Sequence, residues 1–220
     1  MAQTTTWQDG TGVFRREAAS PMSMSMRLWG LDWSARLPWH FDDGRAEVVT
    51  AEEALPFIRE HYPSIFGKAD GEGQFLPSPM TEAKRRFFAE MDYFMLRVDD
   101  RNAGIVMGHP TDWTSYYVRS AAVLPEFRDR RVLTQFGARL FDPLREVGAE
   151  RVEAECSPAN LPMARLLTGQ GYIVTASVNS ERWGVMLRYT KFLAADAQAA
   201  FMRQYTAMPF AQRAQSKPNA

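Results

Sequence analysis

The chain is poor in the residues that most covalent and metal chemistry requires. It has one cysteine, Cys156, in 220 residues, which excludes an internal disulfide and a cysteine-based metal cluster. Its three histidines, His40, His61 and His109, show neither i, i+4 nor His-x-His spacing, so no metal site is expected. It also lacks net charge, with 26 cationic side chains against 26 anionic ones. No overall field therefore recruits nucleic acid or an anionic membrane, and electrostatic binding has to be local. No apolar run approaches the ~20 residues of a membrane-spanning helix. The N-terminus carries no basic segment leading into an apolar core, so no signal peptide is read there, and a cytoplasmic protein is the expectation. Lysine is scarce too, 4 against 22 arginines, a bias that codon usage explains as readily as function.

What is present is ordinary for one globular domain: 45% hydrophobic and 24% charged residues. Residues 1–20 are polar and without period. In 21–41, Met22, Met24, Met26 and Leu28 alternate with polar residues, which predicts a strand, and Trp29, Trp33 and Trp39 add large apolar bodies. This segment reads as an arm packed on the core, or as a homodimer contact or part of an acyl-chain tunnel, since Met and Trp make adaptable apolar walls. A strand over 46–50 precedes a helix over 51–62 whose Thr50 and Glu53 have capping-box spacing. Pro56 is expected to kink or split that helix. A Gly/Pro-rich loop over 62–80 leads to a helix with Phe87, Phe88 and Met91 buried. Three strands follow as a meander, the first turn being the hairpin-like DDRNAG. A helix over 132–147, bent at Pro143 and stopped by Gly148, leads to a strand over 151–156. A short helix, a closing hairpin, a last helix and a Gln/Ser/Pro-rich tail complete the order β-α-α-β-β-β-α-β-α-β-β. The strand–helix–strand crossover in its middle implies two parallel neighbours in an otherwise antiparallel sheet. We divide the chain into an arm (1–44), a main domain (45–192) and a C-terminal helix with tail (193–220).

The stretch VLPEFRDRRVLTQF, residues 123–136, looks like an anion-binding loop feeding a helix, yet it has no glycine. It reads V-x-P-E-F-R after an apolar strand. Asn160 follows the next strand in CSPANLPMA, and TGQGYIV places Gly171 and Tyr172 at a later strand entry. In this order, the three motifs resemble the GNAT superfamily of acyl-CoA-dependent N-acyltransferases over residues 45–192. The resemblance implies an α/β (α+β) fold: a mixed, mostly antiparallel sheet with a splayed parallel strand pair and helices on both faces. It implies acetyl-CoA or another acyl-CoA as donor, no metal, and a small-molecule or peptide amine as acceptor. Val123 would polarise the thioester carbonyl through its N–H, and the loop and helix start would hold the carrier's phosphates. Candidate binding residues are thus Val123, Arg128, Asp129, Arg130, Arg131, Val132, Leu133 and Asn160.

Two departures accompany the resemblance. Arg131 and Leu133 stand where the family pattern Q/R-x-x-G-x-G/A has small residues. Either arginine side chains substitute for close backbone contact, or pyrophosphate binding is weakened and the donor is an acyl carrier protein, whose acidic surface suits an arginine cluster. Leu167 occupies the position of the family's usual tyrosine acid, and Tyr117 that of a glutamate base found in some members. Tyr117 is then either strand core or a catalyst. Glu153 and Glu155 share one strand face, making Glu155 a candidate base, with Arg119 as a possible neutralising partner. Cys156 reads as packing, and His109 as a residue serving its turn. Phe66, Phe75, Leu76 and Trp183 make the acceptor loops apolar, which argues against polyamine or aminoglycoside acceptors. Three readings follow: an acyl-CoA N-acyltransferase, an acyl-ACP or long-chain acyl-dependent one, and a non-catalytic binding module of the same fold.

Overall fold

The computed structural model describes residues 22–66, 79–180 and 183–203. The arm opens with a helix, α1 (Met24–Trp29), and a short strand, β1 (Trp39–His40). Then come β2 (Gly44–Val49), α2 (Ala51–Phe66), α3 (Glu82–Ala89), β3 (Asp92–Val98), β4 (Arg101–Pro110) and β5 (Ser115–Val123). A 3-10 turn, Pro125–Arg130, leads into α4 (Val132–Glu146), followed by β6 (Arg151–Cys156) and α5 (Leu161–Gly169). The chain continues through β7 (Ile173–Ser180), β8 (Gly184–Phe192) and α6 (Ala195–Met202). The strands form one sheet in the order β1-β2-β3-β4-β5-β6-β8-β7. Only β5 and β6 pair in parallel among the described strands.

Local chemistry accounts for most boundaries. The Thr50 amide donates to Glu53 Oε2 at 2.7 Å and the Glu53 amide to Thr50 Oγ1 at 3.2 Å, closing the capping box of α2. The β3–β4 turn is made by Asp99 and Asp100 with φ of 49° and 59°, the two left-handed residues that a tight hairpin of the right twist needs. Gly148, at φ 83°, lets the chain leave α4.

The predicted strand over the Met-rich arm is corrected to α1. Ser23 accepts from the Met26 amide at its start and Gly30, at φ 65°, ends it, so two caps override the alternation. The alternating residues Met22, Met26 and Leu28 are exposed, and polar Ser25 is the buried one. Of the two outcomes expected at Pro56, the split does not occur, because α2 runs continuously through it, as α4 runs through Pro143. Phe87 was expected in the core but is 37% exposed, whereas Met91 is buried.

Alternate residues of β3 define the two layers. Phe94 packs against Phe136 of α4 with ring centroids 5.1 Å apart, while Tyr93 donates to the Phe88 carbonyl of α3 at 2.8 Å. The arm joins the first layer. Leu31, Trp33 and Trp39 are buried, and Trp33 meets Phe94 edge-on at 5.0 Å. The other layer, under α3, remains partly open above β4, β5 and β6.

Candidate active site

The site begins where two parallel strands part. β5 and β6 pair from Ser115↔Arg151 to Val118↔Ala154 and no further, although β5 continues to Val123 and β6 to Cys156. On its other side β5 stays paired with β4 as far as Val123↔Gly104. Register slips between Met107 and Gly108, leaving Arg119 as the extra residue of a bulge. A bulge bends its strand, and this one sits where β5 turns away from β6.

The gap leaves backbone groups exposed. The Leu124 amide donates to the Ala103 carbonyl at 2.9 Å, while Val123 stands opposite Gly104. In an antiparallel ladder this arrangement directs the N–H and C=O of Val123, and of Ala121 two residues earlier, away from β4. Both residues therefore aim peptide groups into the gap where β6 no longer runs. An extended amide chain can pair there as a surrogate strand.

The glycine-free loop closes one end of the gap. Its 3-10 turn ends at Arg131, whose φ of 55° and ψ of 15° are left-handed. A left-handed non-glycine residue costs about 1–3 kcal/mol. Retaining a glycine conformation without the glycine keeps the loop path and puts a cation beside the start of α4. Val132, Leu133 and Thr134 supply the first amides of that helix, which have no acceptor within it. Arg128 turns back toward the Val123 carbonyl at 3.4 Å, and Arg130 stands 3.6 Å from Asp43. Arg128 and Arg131 have no carboxylate within ion-pair distance among the described side chains, and that of Asp129 lies outside them. Val132 is buried under the loop. Asn160 caps α5, accepting from the Met163 amide at 3.2 Å.

A cleft of about 550 Å³ lies beside the gap, lined by Phe87, His109, Tyr117, Arg119 and Arg151, with Glu153, Glu155 and Arg188 opposite. The Tyr117 hydroxyl faces Glu155 Oε2 at 3.4 Å. Burial first, then the charge of Glu155, push the Tyr117 phenol up to about 12, so it is protonated at neutral pH. Glu155 is tied to Arg188, which donates from Nε at 2.9 Å and from its terminal nitrogen at 2.7 Å. Glu153 lies within 3.8 Å of Arg188 and 3.7 Å of Arg151. Thus both carboxylates of this strand face are neutralised from β8 and β6. Arg119, the neutralising partner suggested by sequence, instead lies over the Phe88 ring at 5.5 Å.

Tyr117 and Glu155 are thus brought together in one cleft, with Val123 and the arginine loop along the adjoining gap. Leu167 is buried core. Cys156 is buried as well, and burial pushes its thiol up, consistent with packing. Phe75 and Leu76, and the side chain of Phe66, lie outside the described residues. Sequence reasoning missed His109, which is not a turn residue but lies in β4, buried and facing the cleft. Its pairing opposite Tyr117 was the available signal, hidden by the bulge beside it. Among the described residues no cluster of His, Cys, Asp or Glu is arranged for a metal ion, and no helix is long and apolar enough to cross a membrane.

Comparison with known proteins agrees with the fold. No curated protein matches the sequence. An Ard1 from Thermoplasma volcanium superposes with a TM-score of 0.52 at 17% identity, over 69% of this chain and 99% of that one. The protein yncA from Salmonella typhimurium, solved with its cofactor acetyl-CoA, gives 0.53 at 14% identity over 70% and 95%. A spermidine/spermine N-acetyltransferase from Vibrio cholerae gives 0.53 at 10% identity over 73% and 99%. These likenesses establish the fold. Residues 55–172, more than half of the chain, match the family model described as the acetyltransferase (GNAT) family. The chain therefore belongs to the GNAT acetyltransferases and is an acyltransferase.

Proposed function

We propose that this acyltransferase moves an acetyl or other short acyl group from acyl-CoA to the amine of a small molecule that is not a polycation. The observation that carries the donor is the pair of outward-facing peptide units at Ala121 and Val123, where β5 has left β6. A thioester supplies an activated carbonyl and a thiolate leaving group. In this reading the outward-facing Val123 N–H donates to that carbonyl oxygen, which gains charge as the amine attacks. The first amides of α4, with Arg128 and Arg131, suit the carrier's phosphates. Tyr117, protonated and beside the gap, is the proton donor for the departing sulfur, since Leu167 has no proton to give. Glu155, held by Arg188, orients the Tyr117 hydroxyl. The acceptor class follows from charge. With Glu153 and Glu155 already paired, the cleft offers no surplus of carboxylates to a polyamine.

A second reading has a specific motive. Three exposed arginines, Arg128, Arg130 and Arg131, surround a loop without glycine, which suits the acidic surface of an acyl carrier protein. Calorimetry with CoA, acetyl-CoA, a long-chain acyl-CoA and acyl-ACP distinguishes the two. Binding of acetyl-CoA with release of free thiol on adding amines supports the first reading. Absence of binding at millimolar CoA, with binding of acyl-ACP, replaces it by the second.

A further inference from the structure

We propose that His109, through Nε2, is the group that takes the proton from the attacking amine. The inference deepens the acyltransferase reading above and rests on it. His109 sits near the end of β4 with its ring in the cleft, 5.8 Å from the Tyr117 ring and 5.0 Å from that of Phe87. Its Nδ1 is 2.9 Å from the Pro110 carbonyl oxygen. A carbonyl only accepts, so Nδ1 carries the hydrogen and the neutral ring keeps its lone pair on Nε2. Among the described residues Nε2 has no hydrogen-bond partner, yet it is not among the buried unpaired atoms, so it opens to the cleft.

The surroundings keep this imidazole neutral. Burial lowers its pKa below the ordinary histidine value, and the positive Arg119 on β5 lowers it further, against the opposing bond to Pro110. Tyr117, also on β5, is protonated at the same pH. Across the cleft Glu153, Glu155, Arg151 and Arg188 are paired with one another, and Phe87 is the ring that α3 contributes. Asp112 accepts from the Thr114 amide at 2.7 Å and hydroxyl at 2.9 Å and lies 3.7 Å from Arg151. Every carboxylate lining the cleft is therefore already engaged, which leaves Nε2 as the one uncommitted proton acceptor among its described side chains.

The transfer balances on residues of this chain. As the N–C bond to the acyl carbon forms, the nitrogen becomes acidic and gives one proton to Nε2. The C–S bond breaks, and the sulfur takes one proton from the Tyr117 hydroxyl. His109 then returns its proton to Tyr117 through solvent. The net result is an amide and a free thiol, with both side chains restored.

His109→Asn tests this, because an asparagine amide can still donate to the Pro110 carbonyl while nothing replaces Nε2. Thiol release from acetyl-CoA is followed across pH with a panel of an alkylamine, an arylalkylamine, an amino acid and a short peptide. The expected result is a drop in kcat of about 10²–10⁴-fold with CoA affinity changed less than twofold. The wild-type acid limb, with an apparent pKa below 6.5 as the direction of the shift requires, disappears in the variant. A variant that keeps its rate within threefold, or keeps the acid limb, overturns the proposal. So does loss of the limb in Glu155→Gln with the limb retained in His109→Asn, which makes Glu155 the base. A wild type that binds acetyl-CoA but acylates no amine on the panel fails differently, because it removes the acceptor reading on which the proposal rests.

Discussion

Tyr116 and Tyr117 are neighbours on β5 and each donates to a carboxylate, but on opposite faces of the sheet the same pair means different things. Tyr116 is fully buried and reaches Asp92 Oδ2 at 3.1 Å. Among the described residues Asp92 has no cation within ion-pair distance. Burial raises its carboxyl to about 6, although Ser25, Ser23, Trp33 and Tyr116 all pull the value down. Its Oδ1 and the nearby Trp33 indole nitrogen are both buried without a hydrogen bond of normal geometry. Tyr117 faces Glu155, which has Arg188. One tyrosine–carboxylate pair is sealed in the core without a counter-charge among the described residues; the other is charge-balanced and open to ligand. Dryness makes the first a structural element. Access makes the second a chemical one.

The sharpest break of that comparison is the pair of phenylalanine variants. Tyr117→Phe is expected to lower kcat about 10²–10⁴-fold at nearly unchanged stability, read by acylation kinetics and denaturant unfolding. Tyr116→Phe should do the reverse, costing about 1–3 kcal/mol of stability by leaving a buried acceptor short of a donor, while kcat in the folded protein stays within a few-fold. Equal kinetic losses in the two variants would erase the distinction between the faces.

A pH series on Asp92→Asn comes next in size. The folded carboxyl lies above its unfolded value of 3.8, so protonated Asp92 is favoured by folding. That contribution is complete below pH 3.8 and is lost as pH rises to about 6. Asparagine does not ionise, so the Tm of the variant relative to wild type should climb between pH 4.5 and 6.5 and then level off. A flat difference would mean that Asp92 ionises as easily folded as unfolded. The smallest effect lies at the loop outside both faces. Arg131→Gly relieves a left-handed arginine and should raise stability by about 1 kcal/mol, part of the relief being returned as chain entropy. The same change should weaken acetyl-CoA binding in a titration if the guanidinium meets phosphate.

The sequence made the sheet readable because most of its signals are local. The Thr50–Glu53 box, the Asp99–Asp100 turn, Gly148 and the V-x-P-E-F-R strand end each act within a few residues. The site was less readable because it depends on non-local register. A bulge at Arg119 interrupts the alternation by which faces are counted, and so hid that His109 and Tyr117 look into one cleft. The cation for Glu155 comes from β8, which inserts between β6 and β7, so the partner is 33 residues away, not on the neighbouring parallel strand. In the arm, two caps outweighed a two-residue alternation, which is why the helix there was missed.

The ring of groups around Asp92 bears on where this protein can be shortened. The family match starts at residue 55, but Ser25 donates to Asp92 and Trp33 seals it, and both precede that boundary by more than twenty residues. A truncation at the family boundary would leave a carboxylate facing water through a hole in the first layer, together with the bare flank of Phe94. Such a fragment is expected to be recovered as aggregate, whereas one beginning just before Ser23 should remain monodisperse. The smallest autonomous unit of this acyltransferase is therefore expected to extend well N-terminal of residue 55, where the family match begins.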